Sequence, residues 1–489
     1  NIKGLPEWGT VSCIDASPFD AGTAYVVVDA HRLDDLHPYL VKTSDYGKTW
    51  TSLAEKLPVD IYLHAVREDP KRKGLLYVGT ERGVAFSIDD GATWQQLKLN
   101  LPTVAVHDLI VKNNDLVVGT HGRSIWILDD VTPLRELSPQ IAGADSHFFP
   151  VQPAIRYRSH PAFHAKEIGQ NPPAGAILNY YLKAKTKDPI TIEILDTQGK
   201  LITTLKSKPK KEPPANGPQR LQVEQKPKLG PKEAEEEEVA EDDPDAPFEK
   251  VKKTVLTTEI GVNRVAWDLH YKGAEKIKGA KVDAGLVDQG PLVNPGTYTL
   301  KLTVDGKTLT TTAVVQADPR THISPTDLEE QLKFALAIRD DLNRLVQMVN
   351  QIRSIRKQLI ARDDLLQGNS KRDTLIQAGQ ELIGKLDALE EKLHNPKAEV
   401  TYDILAQRGG AKLYSQFAFL FESVKDSDGL PTQGMREVYA EQAQALKQYG
   451  SELNALISGD LAKLNETAKN LDIPNIIVSA PATSSEKGG

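Results

Sequence analysis

Short apolar runs recur along the first 130 residues, and each is followed by a turn rich in Asp, Gly and Ser. The segment TSDYGKTW at 43–50 is repeated as SIDDGATW at 87–94, a spacing of 44 residues. Apolar runs at 24–28 and 75–80 precede the two copies. A third copy has its apolar residues at 116–128 and lacks the final turn. Strands of four to six residues at this period are typical of β-propeller blades. Residues 1–130 are therefore predicted to form about three blades.

The repeated turn has the pattern S/T-x-D-x-G-x-x-W, which resembles the Asp-box of bacterial neuraminidase (BNR) repeats. The end of the third copy, VVGTHGRSIWILDD at 117–130, resembles the last blade of large bacterial exported proteins labelled BNR-repeat glycosyl hydrolase or sortilin-like. The resemblance implies a propeller, an extracytoplasmic (periplasmic or secreted) location, and Asp-boxes that lie on the rim away from any active site. The sequence differs from sortilin receptors, because the Cys-rich modules that follow their propeller are absent from it.

The chemistry of the Asp-box residues indicates a structural role for this turn. An Asp carboxylate can accept backbone N–H bonds across the turn, Gly supplies a positive φ, and Trp packs between sheets. These structural roles are expected for two sets of residues: Asp45, Gly47 and Trp50, and Asp89, Gly91 and Trp94.

The number of blades matters because propellers close with 4–8 of them. An open arc of three blades would expose sheet edges, which native proteins avoid. We therefore expect the remaining blades to come from a longer parent chain or, as the alternative, from a partner chain.

A second β region follows a connector at 131–150. Alternating apolar residues at 177–182 and 190–195, and the segments NRVAWDL at 263–269 and PGTYTLKLTVDGK at 295–307, predict about seven short strands. This pattern favours an immunoglobulin-like β-sandwich over 151–320, and the same segments resemble the Ig-like module of the exported family. Its central part, 206–252, is basic and contains Pro at 206–211, is acidic at 233–245, and has few apolar residues. It is therefore predicted to be a disordered charged insertion.

From Ser324 the apolar period changes to three or four residues. One stripe runs from Leu328 to Leu359, and further helices are predicted near 371–394, around 413–424 and near 433–457. Short Pro- and Gly-containing loops between them indicate antiparallel neighbours. Residues 324–470 are thus predicted to form an α-helical bundle, followed by a flexible tail at 471–489.

Composition narrows the classes of function. The 489 residues carry 60 Lys and Arg against 67 Asp and Glu, a formal net charge of −7, which argues against a nucleic-acid partner. No stretch reaches the ~20 apolar residues of a membrane helix. The single cysteine, Cys13, excludes a disulfide framework within this sequence.

Candidate binding residues lie in two loops of the predicted blades. Gly119–Arg123 is a turn that could project His121 and Arg123 toward a propeller face, and Arg123 suits a carboxylate as a bidentate donor. Arg82 holds the matching position in the previous copy. A loop at 29–37 lengthens the first copy and carries His31 and Arg32, and long loops on rigid scaffolds are common recognition sites. No recognised metal-ligand spacing or cofactor motif is present, so neither a metal nor a cofactor is expected.

Two functions fit these features. Every specific motif has a structural explanation, which favours a non-catalytic extracytoplasmic binding or scaffold protein with a peptide, protein or glycan ligand. The alternative is a glycoside hydrolase with part of its active site on blades outside this sequence, because the predicted blades show no catalytic set of their own. A hydrolase would need two carboxyl groups about 5–9.5 Å apart in a sugar-sized cleft.

Overall fold

A computed structural model describes residues 2–158, 169, 171–208, 254–282, 284–366, 372–401 and 409–478. Its N-terminal region consists of three antiparallel sheets, each wound in chain order. Sheet I contains β1 (Thr10–Ala16), β2 (Ala24–Asp29), β3 (Tyr39–Thr43) and β4 (Thr51–Ser52), with a short 3-10 turn at His31–Leu33. Sheet II contains β5 (Leu63–Glu68), β6 (Leu76–Thr80), β7 (Gly83–Ser87) and β8 (Gln95–Gln96). Sheet III contains β9 (Val106–Lys112), β10 (Asp115–Thr120) and β11 (Ile125–Leu128).

The three sheets pack side by side, with sheet II in the middle. Its strands β6 and β7 are buried along their whole length, because one face packs on sheet I and the other on sheet III. Val27 and Leu40 of sheet I share a core with Val78, whereas Tyr77 shares a core with Leu109 of sheet III. A strand covered on both faces is expected to be continuously apolar, which explains the run LLYVGT.

The outer faces of this arc remain partly open. Val11 and Ile14 of β1 are 54% and 67% exposed, and Ile125 and Ile127 of β11 are 70% and 57% exposed. Sheets I and III therefore each present apolar side chains on the side away from sheet II.

The connector and the second β region begin with two short helices, α1 (Thr132–Glu136) and α2 (Pro139–Gly143). Eleven strands follow among the described residues: β12 (Ser146–Phe148), β13 (Ala154–Arg156), β14 (Ala176–Leu182), β15 (Thr191–Leu195), β16 (Leu201–Ser207), β17 (Val255–Leu256), β18 (Gly261–Trp267), β19 (His270–Lys272), β20 (Gln289–Leu292), β21 (Gly296–Val304) and β22 (Lys307–Ala317). They form sheets ordered β12-β14-β18 and β13-β22-β21-β15-β16-β17, with a separate β19-β20 pair.

These sheets enclose one core that includes Trp267, Tyr180 and Leu300. An immunoglobulin-like topology is not confirmed, and β13–β22 and β16–β17 are parallel pairs.

Two boundaries differ from the prediction. Strand β12 lies in the predicted connector but pairs with β14, so the β region starts before 151.

The second difference concerns the predicted insertion, 206–252. Its first residues belong to β16, where the Ser207 Oγ accepts a bond from the Ile190 N–H at 2.9 Å. Strand pairing therefore continues to Ser207, although the sequence that follows is basic and contains Pro. The remainder of the insertion, from 209 onward, lies outside the described residues.

The C-terminal region is helical, as the change of apolar period predicts. It contains α3 (Pro325–Leu366), α4 (Asp373–Leu393), α5 (Leu413–Lys425), α6 (Gln433–Ala455), a π-helical turn (Leu456–Leu461) and α7 (Ala462–Asn470). The apolar stripe of α3, including Leu342, Leu345 and Val349, lies at the centre of the helical core. In the part of the chain that the structure describes, no helix is both long enough and apolar enough to span a membrane.

The structure differs from the prediction of a flexible tail over 471–489 in the first part of that range. Ile473 and Ile476 are buried against the helices, and the Ile476 N–H donates to the Asn465 Oδ1 at 2.8 Å. The prediction rested on the polar composition of the last residues and overlooked these two anchors. Residues 479–489 lie outside the described residues.

Candidate functional site

One end of the three sheets gathers the polar and aromatic residues of the candidate site. In each antiparallel sheet the first strand begins where the second strand ends: Thr10 pairs with Asp29, Leu63 with Thr80, and Val106 with Thr120. Side chains near these residues therefore come from different parts of the chain but meet at one end. The loops that carry the predicted candidates also leave from this end.

Five rings from all three sheets form a continuous row at this end, which we call the ring row: His31, Tyr62, His64, His107 and His121. The His31 and Tyr62 rings are stacked, with centroids 4.7 Å apart. The centroid of Tyr62 lies 5.2 Å from that of His64, in an edge-on contact. The row continues from His64 to His107 at 4.3 Å and from His107 to His121 at 4.7 Å.

Close packing of the main chain brings His107 to His64. Gly79 lies at the end of β6, and a Cβ there would come within 2.5 Å of the Val106 carbonyl oxygen. Any side chain at this position would push β9 away from sheet II. The glycine thus permits the approach that places His107, the next residue, beside His64.

Carboxylates hold two of the imidazoles. The Asp29 carboxylate lies 2.7 Å from the Nδ1 of His31 and accepts the His31 backbone N–H at 2.9 Å. The Glu81 Oε2 lies 2.9 Å from the Nε2 of His64. Both pairs fix ring orientation, because a carboxylate at one ring nitrogen selects the proton position.

The environment shifts three pKa values at this end. Burial and the neighbouring imidazoles of His64 and His121 lower the pKa of His107. Burial raises the pKa of Glu81, but hydrogen bonds from His64 and Tyr62 outweigh it, so its pKa is lowered. Burial and the bond to Glu81 raise the pKa of Tyr62 to about 12. Near neutral pH this end therefore carries a carboxylate, a neutral phenol and a neutral His107.

The site also holds three potential metal-ligand atoms. One ligand atom each from His64, Glu81 and His107 lies within 4.8 Å of the other two. This geometry is unexpected from the sequence, because its ligands are contributed by separate repeats.

The predicted candidates divide into two groups. His31 and His121 both belong to the ring row. Arg82 is exposed and its Nη1 pairs with the Asp60 carboxylate at 3.2 Å. Arg32 and Arg123 are also exposed; the Arg123 carbonyl accepts the Trp126 Nε1–H at 2.8 Å, so the main chain of this turn is fixed while its guanidinium faces solvent.

Sequence reasoning missed Tyr62, His64, Glu81 and His107. A signal for two of them is present. His64 and His107 both lie at the start of the first strand of a repeat and are almost one repeat apart. Comparing equivalent positions between copies, rather than motifs within each copy, would have paired them.

The repeated Asp turns lie at the opposite end of the sheets, between the third and fourth strands. The Asp89 Oδ1 accepts the Thr93 backbone N–H at 2.8 Å, as the Asp45 Oδ1 accepts that of Thr49. Gly47 and Gly91 have φ values of +83° and +86°. These turns are therefore separated from the ring row by the length of the strands.

The two tryptophans of these turns differ in their partners. The Trp94 Nε1–H donates to the Leu53 carbonyl of sheet I at 2.9 Å and so joins two sheets. The Trp50 Nε1–H donates to the carbonyl of Gly47, within its own turn, at 3.0 Å. Sheet I therefore has the same turn as sheet II, but among the described residues no neighbouring sheet accepts a hydrogen bond from its tryptophan.

No protein-family model and no curated protein matches the sequence. Among solved structures the chain is similar to YCF48 bound to D1 peptide, at 18% identity over 24% of this chain and 36% of that chain, with a TM-score of 0.18. It is similar to the GH74 xyloglucanase from Xanthomonas campestris, at 14% identity over 35% and 27% of the two chains, with a TM-score of 0.20. A third likeness is to an ancestral GH74 enzyme, at 13% identity over 41% and 28%, with a TM-score of 0.19.

The chain thus spans between 27% and 36% of the length of these three proteins. A structural likeness with TM-scores of 0.18–0.20 carries no information on the fold or the function of this chain. The contacts within the chain are the basis for both.

Proposed function

We propose that this chain is a non-catalytic, extracytoplasmic binding or scaffold protein. Its three N-terminal sheets would be blades of an Asp-box β-propeller, and its ring row would contact a peptide, protein or glycan ligand. The observation that carries the proposal is the ring row itself, because five rings from three sheets meet at the end where the connecting loops leave. The extracytoplasmic location rests on the family resemblance of the repeats.

The ring row has the properties of a binding surface. Its last two members, His107 and His121, are exposed, so these side chains are accessible to a ligand. Aromatic and imidazole rings lose little conformational entropy when they bind, and they combine an apolar face with a polar edge. Arg123 lies two residues after His121, and its exposed guanidinium suits a carboxylate on the ligand.

The electrostatics at this end favour binding over acid–base hydrolysis. A glycoside hydrolase needs a carboxylic acid whose pKa is raised so that it can protonate the leaving group. Glu81, the carboxyl group that contacts Tyr62 and His64, has a lowered pKa. It is therefore ionised at neutral pH and serves as a hydrogen-bond acceptor for His64.

The open faces of sheets I and III support the expectation of further blades. Exposed apolar residues lie on both faces, and Trp50 has no neighbouring sheet to join although its equivalent Trp94 does. Further blades from a longer parent chain, or from a partner chain, would cover these faces. The second β region, proposed to be Ig-like, and the helical bundle would then serve in docking.

A glycoside hydrolase is the second candidate, and one observation favours it. Burial raises the pKa of Asp15 on β1, which is the direction expected of a general acid. The Asp15 carboxylate nevertheless accepts the Glu68 backbone N–H at 2.8 Å, which is a structural contact. If Asp15 were the acid, an Asp15→Asn variant would lose glycan cleavage while retaining glycan binding.

The proposed function is tested by screening the full chain on a glycan array and a peptide array. A Tyr62→Ala variant should bind the selected ligand at least about 10-fold more weakly, because it removes the ring that stacks on His31. Tyr46→Ala is the matched control, since Tyr46 is an exposed tyrosine in the opposite Asp turn. The ligand should be recovered intact by mass spectrometry. Equal binding by Tyr62→Ala, or recovery of a cleaved ligand, would contradict the proposal.

A further inference from the structure

Three side chains of the candidate site combine into a set with a chemistry of its own. His64 lies on β5, Glu81 follows β6, and His107 lies on β9, so sheets II and III both contribute. We propose that these three residues bind one divalent transition-metal ion of the Zn²⁺ class. This inference concerns the same end as the proposed ligand site but does not depend on the ligand.

The donor set defines the class of ion. Two imidazole nitrogens and one carboxylate oxygen form a set typical of zinc sites that keep a fourth position open. Imidazole also suits Cu²⁺ and Ni²⁺, whereas Ca²⁺ and Mg²⁺ prefer six or more oxygen ligands. The described end of the sheets offers one carboxylate beside two imidazoles, so the harder cations are disfavoured.

The geometry needs only a small adjustment. Ligand atoms about 2.0–2.1 Å from a tetrahedral ion lie about 3.4 Å from one another. The three atoms already lie within 4.8 Å, and the His64 Nε2 and Glu81 Oε2 are 2.9 Å apart. An ion would take the place of the proton between these two atoms. The exposed His107 would move by about 1 Å or more, which a change in its side-chain torsions allows.

The charges around the site suit a cation. The groups that face His107 are His64 and His121, with Glu81 and Asp29 nearby. The two carboxylates supply the negative charge that a cation requires.

The surroundings indicate where a fourth ligand would come from. The His121 ring centroid lies 4.7 Å from that of His107, and both side chains are exposed to solvent. The fourth position can therefore be filled by His121, by water or by a group of a bound ligand. In each case the ion would link sheet II to sheet III.

The test is a titration of the full chain, without a histidine tag, with Co²⁺ alone, followed by displacement with Zn²⁺. We expect one equivalent of Co²⁺ to give the intense visible absorption of four-coordinate cobalt and Zn²⁺ to abolish it. His107→Asn and Glu81→Gln should each weaken binding at least about 10-fold. His37→Asn is the matched control, because His37 also pairs with an aspartate but lies in the loop outside the ring row.

Three results would overturn the metal proposal. They are the absence of a one-equivalent cobalt spectrum, unchanged binding in both site variants, and equal weakening in His37→Asn. Circular dichroism without metal establishes that the variants are folded. Repeating the array experiment with and without a chelator separates the two proposals, because ligand binding without a cobalt spectrum contradicts only the metal site.

Discussion

At the residue scale, His107 shows most clearly how the surroundings of a side chain change its pKa. It lies between the rings of His64 and His121. Burial first, and the repulsion of neighbouring imidazolium charges second, disfavour its protonated form.

The titration of His107 follows from this contact. Its pKa should lie below the ordinary 6.5 and should rise in a His64→Gln variant, because one repelling imidazole is removed. Because the unfolded chain then binds more protons than the folded one, the unfolding free energy should fall as pH drops below 6.5. Histidine hydrogen exchange read by mass spectrometry measures the pKa. A midpoint at or above 6.5, unchanged by His64→Gln, would contradict the account.

Sequence reasoning reached only part of this site. His31 and His121 could be found because each lies in a loop that stands out by its length or its glycines. His64 and His107 lie inside strands, where a polar residue alternating with apolar ones is ordinary. Their proximity depends on the packing of sheet II on sheet III, and a sequence pattern within one repeat does not contain that contact.

At the element scale, the equivalent tryptophans of the two Asp turns have different environments. Trp94 packs in the core between sheets I and II and bonds to Leu53. Trp50 lies against the open face of sheet I. The repeat alone predicts equal roles, and the difference arises from what stands next to each sheet.

This difference predicts unequal effects of two matched substitutions. Trp94→Ala should lower the unfolding free energy by about 2–4 kcal/mol, because it opens a cavity between sheets and leaves the Leu53 carbonyl without its partner. Trp50→Ala should cost at least about 1 kcal/mol less. Urea unfolding followed by circular dichroism measures both. Equal losses would show that the two turns have equivalent neighbours.

Helices α3 and α4 are joined by a buried ionic cluster that apolar periodicity does not predict. The Glu390 carboxylate accepts bonds from the Arg353 Nε and the Arg356 Nη1, each at 2.7 Å, and lies 2.9 Å from the His394 Nε2. Burial alone would raise the pKa of Glu390, but these contacts outweigh it and lower the pKa to about 2.

Removing this charge should destabilise the bundle. Glu390→Gln should cost about 2–4 kcal/mol at pH 7, because the half-buried Arg353 loses its counter-charge and Arg356 keeps only Asp387. Glu391→Gln is the matched control, since Glu391 is half-exposed and pairs with Lys397 at the surface; its effect should stay within about 0.5 kcal/mol. The contribution of Glu390 is complete above its unfolded pKa of 4.5 and is lost as pH falls toward 2. Urea titrations at pH 7 and pH 3 test both statements.

At the scale of the whole molecule, the second β region and the helical region are joined by charged contacts. The Asp428 Oδ1 bonds to the Arg156 Nη2 at 2.8 Å and to the Arg158 Nη2 at 3.0 Å. Arg156 is buried and also donates its Nε–H to the Val293 carbonyl. Two arginines from the β region thus bind one carboxylate beyond the end of α5.

Breaking this link should separate the unfolding of the two regions. Asp428→Asn leaves Arg156 buried without its counter-charge and should cost about 2–4 kcal/mol. The calorimetric transition should broaden or split, because the interface no longer couples the regions. Asp460→Asn is the control and should leave the transition unchanged, because Asp460 pairs with the exposed Lys385 at the surface of the bundle. A single unshifted transition in Asp428→Asn would contradict this role.

The large-scale organisation follows from periodicity more closely than the site does. A change from period-2 alternation to a three-to-four spacing correctly predicts the change from sheets to helices near Ser324. The parallel pairing of β13 with β22 joins residues far apart in sequence, and no local pattern encodes it. The anchoring of Ile473 and Ile476 likewise depends on a groove made by other helices.

The central claim is that the ring row is the binding face of the molecule. It is tested most directly by hydrogen–deuterium exchange of the full chain with and without the ligand selected on the arrays. The account predicts slower exchange at 29–33, 61–65, 79–83, 105–109 and 119–123, because the segments of the ring row would be covered. Protection confined to the Asp turns at 44–50 and 88–94, or to the helices, would contradict it.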